Sequence, residues 1–386
     1  MKKNNQYSLI VQVNGAVLSV IFVFLLIAGM TTFLSVKMSS ESVGQILETS
    51  DLNKLFLYFF GTENKYFIQN NKDIKDIPLT KVGFQIATNI KINDVKSFFE
   101  RELPGFSEFN TNIQVAGQGT DITNVPIESA PPMETLLKER EVAQNAGKNN
   151  NSNQTGSTIP PGQTTDGKKV VYIYHTHSWE SYLPLLQQVS SSSPDDAVSS
   201  NNGANVVEVG DMLAKDLAAK GIGSEHSTID ATEKLHEKGW NYNNAYQYSR
   251  GLVQEAIASD QDLKFTIDIH RDSQRKNITT TTINNKSYAR LDFIVGEANP
   301  NFKQNLQLAK DLHAAVEKKY PGLSRGIFSK SKSLGNGVYN QDLSPRAILI
   351  EVGGVDNNLD ELQNAMDAFA DVFSEYYWEK KNAKAF

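Results

Sequence analysis

Val170-Val-Tyr-Ile-Tyr-His-Thr-His-Ser-Trp-Glu180 decides how this chain is read. An apolar, β-type run leads directly into two histidines and a glutamate. One strand end thus delivers several candidate metal ligands or acid/base groups onto a short turn. Working outward, Lys264-Phe-Thr-Ile-Asp-Ile-His270-Arg-Asp272 ends a second apolar run on a histidine, and Ala347-Ile-Leu-Ile-Glu351-Val-Gly-Gly354 ends a third on a glutamate. Three such strand ends predict one site at the carboxyl edge of a parallel sheet, where α/β proteins place their chemistry. The pattern is that of a zinc hydrolase.

Between these runs the periodicity is helical. Residues 206–220 place Val206, Val209, Leu213 and Leu217 on one face, and Gly221 closes the helix. Further helices are predicted over 242–259, over 299–320 (stopped by Pro321-Gly322) and over 359–378, with additional strands at 279–283 and 289–295. Alternating strands and helices predict an α/β fold: a mostly parallel twisted sheet with helices on both faces. The chain shows no internal repeat.

The bulk numbers narrow the chemistry. The 386 residues include 38 basic and 44 acidic side chains, a net charge of −6 that gives no electrostatic case for nucleic acid. With no cysteine, disulfides and thiolate metal sites are excluded, so any metal must sit on His, Asp or Glu. No Walker-type spacing and no Gly-x-Ser-x-Gly elbow occurs.

The amino-terminal part has a different character. Residues 4–36 carry no charge, and 15–34 are almost continuously apolar, about the length that crosses a bilayer. Lys2 and Lys3 precede them, so the expectation for 1–37 is a signal anchor with a cytoplasmic N-terminus and an exported remainder. A cleaved signal peptide is the weaker alternative, because no clear small-x-small cleavage site follows the run. Residues 38–110 read as a membrane-proximal helical module. Residues 111–168, with Asn149-Asn-Asn-Ser-Asn-Gln-Thr-Gly156 at their centre, read as a low-complexity linker that buries too little apolar surface to order itself. Residues 169–386 are expected to form the catalytic domain.

Zinc hydrolases need three protein ligands and an open position for water. His177, Glu180 and His270 supply a His2Glu set, and Glu351 is left as general base and then acid. His175 is the alternative to His177, as ligand or as a group behind it, and Glu208 is the alternative to Glu180. Arg271 is a candidate oxyanion or substrate donor, although an ion pair with Asp272 is the blander reading. The segment Asn336-Gly-Val-Tyr339 and Arg346 are candidates for a substrate loop. His226, His236 and His313 read as ordinary polar residues.

At His175-Thr-His-Ser-Trp-Glu-Ser-Tyr-Leu-Pro184, Tyr242-Asn-Asn-Ala-Tyr246 with Ser249-Arg250, Asp268-Ile-His-Arg-Asp-Ser273 and Ile350-Glu-Val-Gly-Gly354 the chain resembles the stage II sporulation protein P family of endospore-forming bacteria. The likeness spans about residues 170–378, and the order of anchor, helical module, linker and C-terminal domain fits it. It implies a zinc-dependent N-acetylmuramoyl-L-alanine amidase domain of the amidase-3 type, with endopeptidase cleavage of peptide cross-links as a second activity. It further implies work on peptidoglycan at the mother-cell membrane during engulfment, with stage II sporulation proteins D and M as partners. Related hydrolases place a glutamate at the start of the first helix, where Glu208 lies. The first histidine lacks the Asp-Pro-Gly-His-Gly-Gly setting of general amidases of this fold, which leaves both ligand alternatives open. Two rival classes stand beside this reading. An inert wall-binding scaffold would bind no divalent ion, and a wall carboxypeptidase would differ in the mass of its product.

Overall fold

The computed structural model describes residues 111–128, 164–186, 193–332 and 336–383, all within the compact unit Pro104–Phe386. Its strands are β1 Asn112–Ala116, β2 Lys169–Tyr174, β3 Gly223–His226, β4 Phe265–Asp272, β5 Thr280–Ile283, β6 Lys286–Ala289, β7 Leu291–Gly296, β8 Ser324–Lys330 and β9 Ala347–Gly354. Its main helices are α1 Val206–Ala219, α2 Ala231–Glu237, α3 Ala245–Ser259, α4 Phe302–Lys319 and α5 Leu359–Asn382. Seven strands form one sheet in the order β1-β8-β7-β9-β4-β2-β3, and β5 pairs with β6 in a separate hairpin.

The strands β3, β2, β4 and β9 are mutually parallel neighbours, so the three runs singled out in the sequence lie side by side with their carboxyl ends on one edge. The sheet is mixed rather than parallel throughout. β7 is antiparallel to β9, β8 runs parallel to β7, and β1 is antiparallel to β8.

The alternation of side chains along β2 shows the two covered faces. Val171 and Ile173 pack with Val209 and Leu213 of α1, Leu312 of α4 and Phe369 and Phe373 of α5. Tyr172 and Tyr174 point the other way, against Val253 and Ala256 of α3. A strand buried on both faces needs apolar residues at every position, which is why Ala347-Ile-Leu-Ile reads as an unbroken apolar run. Each such aliphatic side chain contributes about 1.5–3 kcal/mol on burial, so the β2–β4–β9 centre is a rigid base for the strand ends. Helix entry is set locally. Asn205 caps α1 by accepting from the Val207 N–H, and Asn358 and Glu361 form a reciprocal capping box at α5.

Within residues 111–128, read from composition as the start of the linker, Asn112–Ala116 form a strand of the sheet. β1 pairs with β8, and its Asn-Ile-Gln-Val-Ala sequence alternates exposed and half-buried positions as an edge strand does. Composition misses it because β8 supplies the pairing partner and the apolar cover. Residues 129–163 of the linker, the module at 38–110 and the apolar stretch at 15–34 lie outside the described residues. Among the described residues no helix is long and apolar enough to cross a membrane.

Candidate metal centre

β2 ends at Tyr174, and the next six residues form a turn fastened to its surroundings. Thr176 donates its N–H (2.9 Å) and hydroxyl (2.6 Å) to Asp268 in β4, and Trp179 Nε1 donates to Asp230 at 2.7 Å. Glu180 N–H closes the turn on the His177 carbonyl at 3.1 Å, and Glu180 bridges to Val198. A short 3-10 helix, Leu183–Leu185, follows.

This turn brings His177 and Glu180 onto His270. Nδ1 of His177 lies 3.4 Å from Oε1 of Glu180, and Nδ1 of His270 lies 3.3 Å from its Oε2. One ligand atom from each of the three lies within 4.8 Å of the others, and all three side chains are buried. Glu180 Oε2 also accepts the Arg271 N–H at 3.0 Å, but Glu180 Oε1 and His177 Nδ1 have no hydrogen-bond partner. Leaving a buried polar atom unpaired costs about 1–3 kcal/mol. Two such atoms facing one another across a buried gap form the donor set a divalent cation satisfies, and two imidazoles with one carboxylate suit zinc.

Electrostatics favours charge here. Burial works against ionised Glu180, but the charge of His270 and the closeness of both imidazoles outweigh it and hold the carboxyl well below its usual range. Burial likewise opposes a charged His270. The Asp268 and Glu180 carboxylates overcome it and raise the imidazole well above its usual range. Asp268 lies 3.1 Å from His270 Nε2, close enough for an ion pair though not aligned as a hydrogen bond.

Glu351 faces the same space from β9, where it is the Cα partner of His270. It is 4 % exposed, and its Oε2 has no hydrogen-bond partner. Burial pushes this carboxyl well up; the nearby His270 opposes the shift, and the Glu180 and Asp272 charges add to it. Aromatic rings wall the group. His177 stacks on Tyr242 with ring centroids 4.3 Å apart, Tyr246 lies parallel to His270 at 6.1 Å, and Tyr339 meets Tyr246 edge-on at 5.1 Å.

Other expected site residues are placed elsewhere. Among the described residues, the cluster of three potential metal ligands contains neither His175 nor Glu208. His175 directs Nε2 at His226 Nε2 (2.8 Å) and Nδ1 at the Ile269 carbonyl (3.3 Å), and His226 continues to Asp211 at 2.9 Å. His226, read as isolated, is therefore the partner of His175. Glu208 stands in the first turn of α1 beside the charges of Asp211 and Lys215. The fully buried Arg271 guanidinium donates to the carbonyls of Asp272 and Ala197, both at 3.2 Å, and its Nε has no hydrogen-bond partner. It forms no ion pair with Asp272, whose carboxylate pairs with Arg325. Arg346 precedes β9 and is five residues from Glu351, about 16 Å away along an extended strand. In the 336–339 segment only Tyr339 approaches the site, with its hydroxyl unpartnered and its backbone left-handed at φ 53°. His236 is exposed on α2, and His313 bonds Ser324 at 2.8 Å.

Two residues near the centre went unread. Asp268 precedes His270 by two in a strand and so shares its face, a signal the sequence did contain. Glu128 lies 3.6 Å from His177 Nδ1, and nothing in its local composition announces it.

Comparison with known proteins places these features. The stage II sporulation protein P family model matches residues 93–374. The stage II sporulation protein P of Bacillus subtilis (strain 168) is 45% identical over 396 residues, covering 99% of this chain and 97% of that protein. Among solved structures, Cwp6 from Clostridium difficile matches 55% of this chain and 30% of its own length at 12% identity and a TM-score of 0.32. A Neisseria meningitidis protein described as an N-acetylmuramoyl-L-alanine amidase matches 54% of this chain and 96% of its own length at 11% identity and a TM-score of 0.27. Likenesses this distant carry no argument about the site. The sequence match over nearly the full length does settle descent: the chain belongs to the stage II sporulation protein P family.

Proposed function

We propose that this chain is a membrane-anchored, zinc-dependent peptidoglycan hydrolase. It cleaves the amide between N-acetylmuramic acid and L-alanine, and peptide cross-links as well, in septal wall thinning and engulfment during endospore formation. The observation that carries the reading is the buried His177–Glu180–His270 group with its unpaired facing atoms, set beside Glu351 on the neighbouring strand.

His177, Glu180 and His270 would hold the ion. Bound zinc supplies polarisation of a carbonyl and acidification of a water molecule. The protein's own groups do the rest. Glu351, one strand away from His270, receives the proton of the attacking water and returns it to the leaving nitrogen. Its raised proton affinity suits the second half of that task. Asp268 fixes the ring of His270 and, through Thr176, the turn that carries His177. Tyr242 and Tyr246 keep their phenolic protons, because burial raises both well above the usual range, and their rings exclude water from one side of the group.

Family membership and the amino-terminal sequence support a reading of the setting. The apolar stretch 15–34 behind Lys2 and Lys3 anchors the chain in the mother-cell membrane with its N-terminus cytoplasmic and the catalytic unit outside. The expected partners there are stage II sporulation proteins D and M.

Mass spectrometry of purified peptidoglycan treated with the zinc-loaded chain tests the activity. Free stem peptides and peptide-free glycan strands are expected. Glu351→Ala should retain the metal and lose these products. Release of terminal alanine alone, or wild-type rates in Glu351→Ala, would overturn the assignment.

A further inference from the structure

Beyond β1 the chain runs across the domain to the metal centre, and this segment is pinned along its length. Gly117 N–H donates to the Arg325 carbonyl at 2.7 Å. The Arg325 guanidinium donates to the Asn124 carbonyl and also pairs with Asp272. Gln274 Nε2 donates to the Val125 carbonyl at 3.1 Å, and Asp272 accepts the Ile127 N–H at 2.9 Å. Ser273 N–H donates to the Ile127 carbonyl at 3.0 Å. Val125 and Pro126 are buried beneath these contacts.

The fastened segment ends on Glu128. Its Oε1 lies 3.6 Å from Nδ1 of His177, the unpaired atom that also faces Glu180. Its Oε2 lies 3.8 Å from Nζ of Lys330, a buried lysine at the end of β8. Glu128 is not one of the residues whose ligand atoms all fall within 4.8 Å of one another, so it stands beside the ligand set and outside it.

We propose that Glu128 supports the metal centre through its charge: its carboxylate, held beside His177 Nδ1 by Lys330 and the pinned segment, adds negative charge at the site and strengthens its hold on a divalent cation. This rests on reading His177, Glu180 and His270 as the metal ligands. The physical basis is that a carboxylate 3.6 Å from the nitrogen that faces the ion adds negative charge beside a divalent cation, in a buried site where screening is weak. Removing such a group typically weakens metal binding about 10- to 100-fold. The segment is thereby part of the metal centre, although it precedes β2 by more than forty residues.

The test is zinc affinity of the full-length chain, measured by competition with a chromogenic chelator, with the visible spectrum of the cobalt(II)-substituted protein as a second readout. Glu128→Gln keeps the shape and removes the charge. It is expected to weaken zinc binding about 10- to 100-fold at unchanged stoichiometry, with cobalt band positions retained because the ligands are the same. Glu180→Ala is expected to abolish zinc binding. Unfolding of the metal-free variants, followed by circular dichroism, checks that Glu128→Gln leaves the fold intact. Zinc affinity of Glu128→Gln within twofold of wild type would overturn the proposal. A cobalt spectrum showing loss of a ligand would overturn its placement outside the ligand set. A wild-type chain that bound neither zinc nor cobalt would overturn the metal reading itself, a failure separate from this one.

Discussion

Gly210 lies inside α1 directly against the His175–His226 pair. A Cβ built there would stand 2.4 Å from His226 Nε2 and 2.6 Å from His175 Nε2. Replacing glycine by alanine in a helix interior ordinarily gains about 1 kcal/mol. Here the added methyl must displace two buried rings, and overpacking of that kind costs about 1–3 kcal/mol. Gly210→Ala is therefore expected to destabilise the protein by a net of up to ~2 kcal/mol, measured by chemical denaturation. A stabilised variant would mean that the histidine pair yields freely. At this scale the sequence was informative wherever a functional group ended an apolar run: His177, Glu180, His270 and Glu351 each do so. It was silent where a role depends on what arrives from elsewhere. His226 gains its role from His175, 51 residues away, and Glu128 from a segment whose composition resembles a linker.

Among the elements, α1 and α5 pack together and place two carboxylates close to each other. Gln363 Nε2 donates to Asp216 at 3.0 Å and to Asp367 at 3.1 Å. Burial, reinforced by the charge of Asp367, pushes the Asp216 carboxyl up to about 7. The folded state thus holds a proton that the unfolded chain releases near pH 4. This pair's contribution to stability is complete below about pH 4 and is lost as the pH rises through 7. Asp216 is partly solvated, so the effect is modest. Asp367→Asn is expected to stabilise the protein by ~0.5–1 kcal/mol at pH 8 and by almost nothing at pH 4, read from melting temperatures at the two values. Equal gains at both would show that the carboxylates do not interact. The same scale shows why some elements were legible and others not. The strands β2, β4 and β9 are apolar at nearly every position because both sheet faces are covered. In contrast, β8, Ser-Arg-Gly-Ile-Phe-Ser-Lys, is buried throughout yet reads as polar, because Arg325 meets Asp272 and Asp292 inside the protein. Pairing of buried charges leaves no trace in local hydropathy.

For the molecule as a whole, β1 closes the outer edge of β8. A fragment beginning at residue 168 lacks β1 and the segment leading to Glu128, so it exposes an unpaired strand edge and leaves Arg325 without the Asn124 carbonyl. Such a fragment is expected to self-associate on size-exclusion chromatography and to bind zinc more weakly than one beginning at residue 104. Identical elution and affinity would show that β1 is dispensable.

The docking of β1 also changes the mechanics of the chain. Residues 129–163 follow Glu128 and precede Thr164, both of which belong to the same compact unit. They cannot serve as a leash, whatever their length: paying out more of this sequence moves nothing. With the N-terminus held in a membrane, as proposed, traction reaches the enzyme through β1, and the working radius over the wall is set by the chain ahead of residue 111. Lengthening 129–163 would leave that radius unchanged, whereas a pull strong enough to peel β1 from β8 would act first on the strand that leads to Glu128.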